Sequence, residues 1–169
     1  MNIRQENIKD YQEVYNVIKL AFETSTNKDG NEQDLVVELR KSNNFIKELS
    51  LVAIIDDNIV GYILFTKINI GEYEELALAP LAVLPQYQKQ GIGGALIKEG
   101  HRIAKKLGYH YSVVLGSEKY YPQYGYVKAT TYGIKPPFEI PAENFMAIKL
   151  NKTNKKIKGT VKYAKEFNL

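Results

Sequence analysis

"PQYQKQGIGGALIKEGHRIAKKLG", Pro85 to Gly108, sets Gly91, Gly93 and Gly94 within four positions, directly ahead of a run with helical spacing. Glycine this dense costs conformational entropy, so it implies a close backbone approach or an unusual dihedral. Beyond it Leu96, Gly100, Ile103, Ala104 and Leu107 form one apolar stripe, while Lys98, Glu99, Arg102, Lys105 and Lys106 lie largely away from it. That pattern predicts an amphipathic helix from about Gly91 to Leu107, stopped by Gly108. "YSVVLG" then reads as a strand, and strand, helix and strand in succession predict a right-handed crossover between two parallel strands.

A strand feeding a glycine turn and a helix presents unpaired backbone N–H groups at the positive end of the helix, which is a natural seat for phosphate. Two familiar phosphate motifs are excluded. The Rossmann pattern wants a third glycine where Leu96 stands, and the P-loop wants a Gly-Lys-Ser/Thr sequence that is absent. On local pattern alone, an anion seat and a turn that merely packs the helix on the sheet account for the glycines equally well.

Upstream, Asn2–Gln5 reads as a short strand. Lys9–Phe22 reads as a helix carrying Tyr11, Val14, Tyr15, Ile18 and Phe22 on one face, and Gln33–Lys41 as a second helix after the loop "TSTNKDGNE". "LSLVAIIDDNIVGYILFTKI" is two β-rich runs around Asp56, Asp57 and Asn58, hence an antiparallel hairpin. The run Leu76–Leu84 contains Pro80, which cannot donate to a ladder and so marks an edge, a bulge or a break in pairing. After "YSVVLG", "SEKYYPQYGY" reads as a short helix ending at Gly125, and Phe145–Leu150 as a late strand. The sum is one α/β layer domain spanning residues 1–169, with no repeat or linker to divide it.

Composition narrows the classes. Hydrophobic residues are 44% and charged residues 25% of the 169, as in soluble globular proteins. The chain has no cysteine, so disulfides, thiolate metal sites and a cysteine nucleophile are excluded. His101 and His110 have no partners at metal-ligand spacing, so no metal is expected, and both read as surface or boundary residues. The N-terminal residues lack the apolar core of a signal peptide, and no apolar run approaches the ~20 residues of a membrane span. A cytoplasmic protein without a membrane partner is expected. The net charge of +4 suits an anionic ligand, but no nucleic-acid-binding motif accompanies it.

Gln88-Lys89-Gln90-Gly91-Ile92-Gly93, placed after "LAPLAVLP" and before a helix, resembles the Gln/Arg-x-x-Gly-x-Gly/Ala signature of the GNAT (Gcn5-related) N-acetyltransferases. The order of elements is similar over nearly the whole chain, and "PLAV" with "YYPQYGY" resembles small bacterial members. The resemblance implies a GNAT fold: a central mixed, mostly antiparallel sheet, helices on both faces and a splayed parallel strand pair. It implies acetyl-CoA as cosubstrate, with the pyrophosphate on the main-chain amides of Gln88, Lys89, Gln90, Gly91, Ile92, Gly93 and Gly94. Main-chain groups of Leu81, Ala82 and Val83 would hold the pantetheine arm, with the Leu81 amide as oxyanion donor.

The same resemblance makes Tyr121, first residue of Tyr-x-x-aromatic-Gly-aromatic, the general acid beside the sulfur. Ser117 stands in for an asparagine of the family pattern as a polar contact to the cofactor, and Tyr120 is the substitute acid. No general base is assigned: the family's glutamate position falls near Ala77, and Glu74, Glu75 and Glu118 read as solvated surface charges. The expected function is direct acetyl transfer to a primary amine of an acceptor, small molecule or protein. A non-catalytic acyl-CoA sensor and a transferase of another acyl group are the alternatives, and a homodimer is left open. By analogy with the fold, the loop "TSTNKDGNE" and the stretch "TTYGIKPPFEIPAEN" would border the acceptor.

Overall fold

The computed structural model describes residues 1–24 and 30–169; most of the expected acceptor-bordering loop "TSTNKDGNE" therefore lies outside the described residues. The chain begins with strand β1 (Asn2–Gln5), helices α1 (Tyr11–Glu23) and α2 (Glu32–Leu39), and three long strands, β2 (Phe45–Ile55), β3 (Asn58–Ile70) and β4 (Tyr73–Val83). Helix α3 (Ile92–Lys106) leads to β5 (Tyr111–Leu115). The remainder is the short strands β6 (Val127–Lys128) and β7 (Ile134–Lys135), then β8 (Phe145–Lys149) and β9 (Gly159–Lys162).

The strands join in the order β1-β2-β3-β4-β5-β8-β6, with β9 pairing both β3 and β7. Only β4–β5 and the two-residue β7–β9 contact run parallel. The mixed, mostly antiparallel sheet expected from the sequence is therefore what forms. Asp56 and Asp57 both adopt positive φ, 49° and 65°, between the paired residues Ile55 and Asn58. This is the turn whose twist matches the flanking strands, and aspartate tolerates it better than most side chains.

Helices cover both faces, and alternation along β3 shows why its sequence is apolar almost throughout. Ile63 and Phe65 point toward α3 and pack with Leu96, Ile97 and Ala104. Tyr62 and Leu64 point the other way and pack with Val14 and Ile18 of α1 and Val36 and Leu39 of α2. A strand buried on both sides cannot show the apolar–polar alternation of a half-exposed one. Beside β5 a third cluster forms where Ile134, Phe145, Ile157 and Val161 cover Tyr111 and Val113. The lysine-rich C-terminal segment thus contributes core residues as well as a charged surface. Leu107, assigned to the buried stripe of α3, is instead 44% exposed, because the helix ends at Lys106 and Leu107 is its cap.

A buried polar chain ties the first helices to the sheet. Arg40 donates to both carboxylate oxygens of Glu6 at 3.0 and 2.7 Å, Ser50 donates to Glu6 at 2.6 Å, and Ser50 shares a hydrogen bond of 2.7 Å with Tyr62. Each of these buried polar groups is satisfied, which removes the penalty of burying them.

Candidate active site

β4 is irregular at Pro80 and parts from β5 along its other edge. The Ala79–Pro80 peptide is cis, and the β3–β4 register shifts by one residue between Phe65↔Leu78 and Ile63↔Leu81. Proline cannot take part as a donor, so the ladder is interrupted where the expected irregularity falls. On its other edge β4 pairs with β5 only at Leu76↔Ser112 and Ala77↔Val113. Beyond Ala77 the parallel strands separate.

Ladder parity shows which groups that separation leaves unpaired. The Leu84 N–H donates to the Val60 carbonyl at 2.9 Å. Main-chain groups alternate in direction along an antiparallel strand, so Ala82 also faces β3, while the N–H and C=O of Leu81 and Val83 face the open side. The Leu81 amide therefore faces the open side, whereas the Ala82 amide, expected from sequence to face it too, is turned to β3. The Val83 carbonyl accepts a bond from the Gln88 side chain at 3.0 Å.

The glycine turn lies at the same end. Gly91 caps α3 with φ +85°, and the first intrahelical bond runs from the Ala95 N–H to the Gly91 carbonyl at 3.0 Å. The amides of Ile92, Gly93 and Gly94 thus have no acceptor within the helix. No side chain caps this end and its first turn holds no acidic residue, while Lys105 and Lys106 occupy the last turn. The end is left positive and open, the arrangement that favours an anion.

Gly93 and Gly94 do different work from Gly91. A Cβ on Gly93 would collide with the Tyr120 hydroxyl, and one on Gly94 would come within 2.5 Å of the Tyr124 hydroxyl. The two accounts left open by the sequence are thus divided by residue: Gly91 makes the turn, and its two neighbours let a wall of tyrosines lie against the helix.

These pieces enclose a cleft of about 490 Å³ lined by Leu81, Val83, Gln88, Lys89, Gly91, Ile92, Gly93 and Gly94 together with Tyr87, Tyr120, Gln123 and Tyr124. A second cleft of about 320 Å³, on the α1 side, is lined by Ala21, Phe22, Thr24 and Ala82 and shares Leu81, Val83 and Gln88 with the first. The split in β4–β5 therefore opens on both faces of the sheet. Of the lining residues Tyr87, Gln123 and Tyr124 carried no assignment from sequence; local pattern could not have placed Gln123 and Tyr124, since only the tertiary fold brings residues 120–124 over α3.

The remaining assigned residues lie apart from the first cleft. Gln90 is exposed and donates to the Gln86 carbonyl at 3.2 Å. Ser117 is exposed, accepts from the Lys119 amide at 3.1 Å and shapes the turn ahead of Tyr120. Tyr121 sits behind the cleft wall: its ring lies against Gly116 and meets Tyr120 and Tyr126 edge-on, with centroids 5.1 and 5.7 Å apart. Burial pushes its hydroxyl up to about 12, which keeps it protonated at neutral pH. Burial also raises Tyr120.

One side chain departs from its sequence reading, and a second makes contacts the sequence did not show. Glu75, read as a surface charge, is 1% exposed and accepts bonds from the His110 amide (2.7 Å), the Tyr111 amide (2.9 Å) and the His110 ring (3.0 Å). It points across the parallel pair to the start of β5, so it is committed to joining the strands and is not free to act as a base. His101 is half-buried, within its reading as a surface or boundary residue. Its Nε2 shares a bond of 3.0 Å with the Tyr126 hydroxyl, which is bonded in turn to Ser112 at 2.9 Å. Burial lowers His101 from its ordinary 6.5 to about 4, so it is neutral at pH 7. Of the other carboxylates, Glu74 is exposed and Glu118 accepts from Asn144 at 2.9 Å.

A sheet split at a parallel pair, with an uncapped helix N-terminus at the mouth of the split, defines the class of the Gcn5-related acetyltransferases. Residues 11–126 match the family described as Acetyltransferase (GNAT) family, and the chain belongs to it. It is 39% identical over 118 residues to the uncharacterized N-acetyltransferase YjhQ of Escherichia coli K12, a match covering 67% of this chain and 65% of YjhQ. The chain thus spans just under two thirds of that relative's length. It is 28% identical to the uncharacterized N-acetyltransferase YhbS of the same strain, over 99% of both chains.

Among solved structures, Escherichia coli YhbS in complex with CoA superposes with a TM-score of 0.88 at 26% identity, covering 99% of this chain and 92% of that one. A GNAT acetyltransferase from Brucella melitensis in complex with acetyl-CoA gives 0.81 at 31% identity, covering 98% and 97%.

Proposed function

We propose that the protein is an acetyl-CoA-dependent N-acetyltransferase that passes the acetyl group directly to a primary amine. The observation that carries this reading is the alignment, at one end of the sheet, of the unpaired amides of α3 with the unpaired edge of β4. The CoA and acetyl-CoA complexes of the two similar structures support it. The donor set suits such a ligand: main-chain amides and an unneutralised helix end for a pyrophosphate, and an open strand edge for an amide-bearing arm.

When bound, acetyl-CoA would supply an acetyl group activated as a thioester. The amides of Ile92, Gly93 and Gly94 would hold the pyrophosphate, with Lys89 on the rim adding charge. Leu81 and Val83 would bond the arm as a strand partner does, with the Gln88 side chain giving up the Val83 carbonyl. The Leu81 N–H would donate to the carbonyl oxygen as negative charge develops on it. Tyr121, held neutral by burial behind the lining Tyr120, would supply the proton for the departing thiolate of an arm that enters the split, with Tyr120 as the substitute acid. With no cysteine in the chain, a thiol acyl-enzyme is excluded, in keeping with direct transfer.

The test is release of CoA from acetyl-CoA against a panel of primary amines, including polyamines, amino acids, aminoglycosides and lysine-bearing peptides. Acetylation of at least one amine, lost on removal of the Tyr121 hydroxyl, is expected. Acetyl-CoA binding without turnover on any of them would leave a binding module in place of an enzyme.

A further inference from the structure

The C-terminal segment completes another concavity, at the end of the sheet remote from Leu81 and Val83. β9 reaches it by pairing Lys162 with Asn69 of β3. Lys67 of β3 lies opposite Leu76, at the closed end of the parallel pair, whereas Ile63 lies opposite Leu81. The cleft encloses about 340 Å³ between the α2–β2 connection, β3 and residues 162–166.

Four lysines line this cleft, Lys41, Lys67, Lys162 and Lys165, against one carboxylate, that of Glu166. Lys41 contacts Glu38 at 3.5 Å in an exposed pair. Lys67, Lys162 and Lys165 have no ion-pair partner among the described residues. Asn43, Asn44 and Asn69 add side-chain amides to the same lining. Lysines that outnumber carboxylates along one concavity give it a positive potential, which favours an anion there.

The aromatic lining residue, Tyr163, is already engaged. Its ring stacks on Phe138 with centroids 6.3 Å apart at 21°, and meets Phe167 at 5.3 Å. A nucleobase would find no free aromatic platform there, so recognition falls to the lysines and amides.

We propose that this cleft is a second anion site, separate from the α3 cradle, which binds a small oligophosphate-bearing ligand through Lys67, Lys162 and Lys165. The ligand is read through its phosphates, whether they come from a nucleotide or from an inorganic chain.

Calorimetric titration of the full chain with tripolyphosphate and with ATP, at fixed ionic strength, tests this. Both probes are expected to bind with affinities within about threefold of each other. Lys67→Ala combined with Lys162→Ala should weaken both by about tenfold or more, as expected for losing charge-assisted hydrogen bonds. Lys67→Arg with Lys162→Arg should retain binding, which separates lost charge from lost fold. Undiminished tripolyphosphate affinity in the double alanine variant, no binding of tripolyphosphate at millimolar concentration, or binding of ATP alone would each overturn the proposal.

Discussion

At Leu76 and Ala77 the strands β4 and β5 are paired, and the buried Glu75 carboxylate holds the first residues of β5 through three hydrogen bonds. A few residues further along β4, Leu81 and Val83 turn the same edge toward a gap between the strands. The first end satisfies its polar groups across the strand pair; the second leaves the Leu81 groups and the Val83 N–H without a strand partner. A sheet edge can bind only if its amides are left unpaired, and it stays in place only if a neighbouring segment anchors it. The clamp at Glu75 and the break at Pro80 are two halves of one device.

The sharpest break of that comparison is at the open end. Replacing Tyr121 by phenylalanine is expected to lower turnover by about 10²–10⁴-fold, the usual contribution of a positioned acid, with the KM for acetyl-CoA little changed, as read from initial rates. A raised KM for acetyl-CoA with kcat unchanged would make Tyr121 a support of the cleft wall instead of the acid. At the closed end, Glu75→Ala leaves the His110 and Tyr111 amides without their acceptor. We expect a cost of about 3 kcal/mol in urea unfolding, accompanied by weaker acetyl-CoA binding as the strands lose their anchor.

Between these in position, and smaller in effect, is the tyrosine wall. Gly94→Ala places a methyl group against Tyr124 and should destabilise the fold by about 1–3 kcal/mol, the ordinary cost of overpacking, while raising the KM for acetyl-CoA. Gly91→Ala meets no neighbouring atom but must hold φ +85°, at about 1 kcal/mol. A difference in melting temperature between the two separates close packing from turn strain.

The remaining effects are in pH dependence. His101 binds a proton more weakly in the folded protein, near 4, than at its ordinary 6.5. Between those values the unfolded chain holds more protons, so stability should fall as pH drops from about 6.5 toward 4 and level off below. His101→Gln should flatten that slope in acid titrations of the melting temperature. The acid role proposed for Tyr121 requires it neutral, and its hydroxyl is raised to about 12. Turnover should therefore show no alkaline loss from this group at pH 10, where an ordinary tyrosine is half ionised.

What the sequence made legible follows the range of the interactions involved. The long helices, the Asp56–Asp57 turn, the irregularity at Pro80 and the turn at Gly91 depend on neighbours a few residues away, and all were readable. The family resemblance located the open strand edge and the helix cradle together. Glu75 was misread because its partners lie 35 and 36 residues downstream, and a carboxylate next to Glu74 looks like a surface residue until β5 is laid beside it. His101 is the boundary residue it was read as, but its partner Tyr126, 25 residues away, was not legible. Gly93 and Gly94 were noticed as glycines, but the tyrosines that require them come from a segment no local pattern connects to α3. The strand β9 went unresolved among lysines because its apolar content is thin, with Val161 as its buried residue.

The contrast between the two ends of β4 can be measured directly by amide hydrogen exchange, followed by NMR, with and without acetyl-CoA. The account predicts slowed exchange at Leu81, Val83 and Ile92–Gly94 on binding, and little change at Leu76 and Ala77, whose protection comes from the protein itself. Unchanged exchange at Leu81 and Val83 under saturating acetyl-CoA would contradict it.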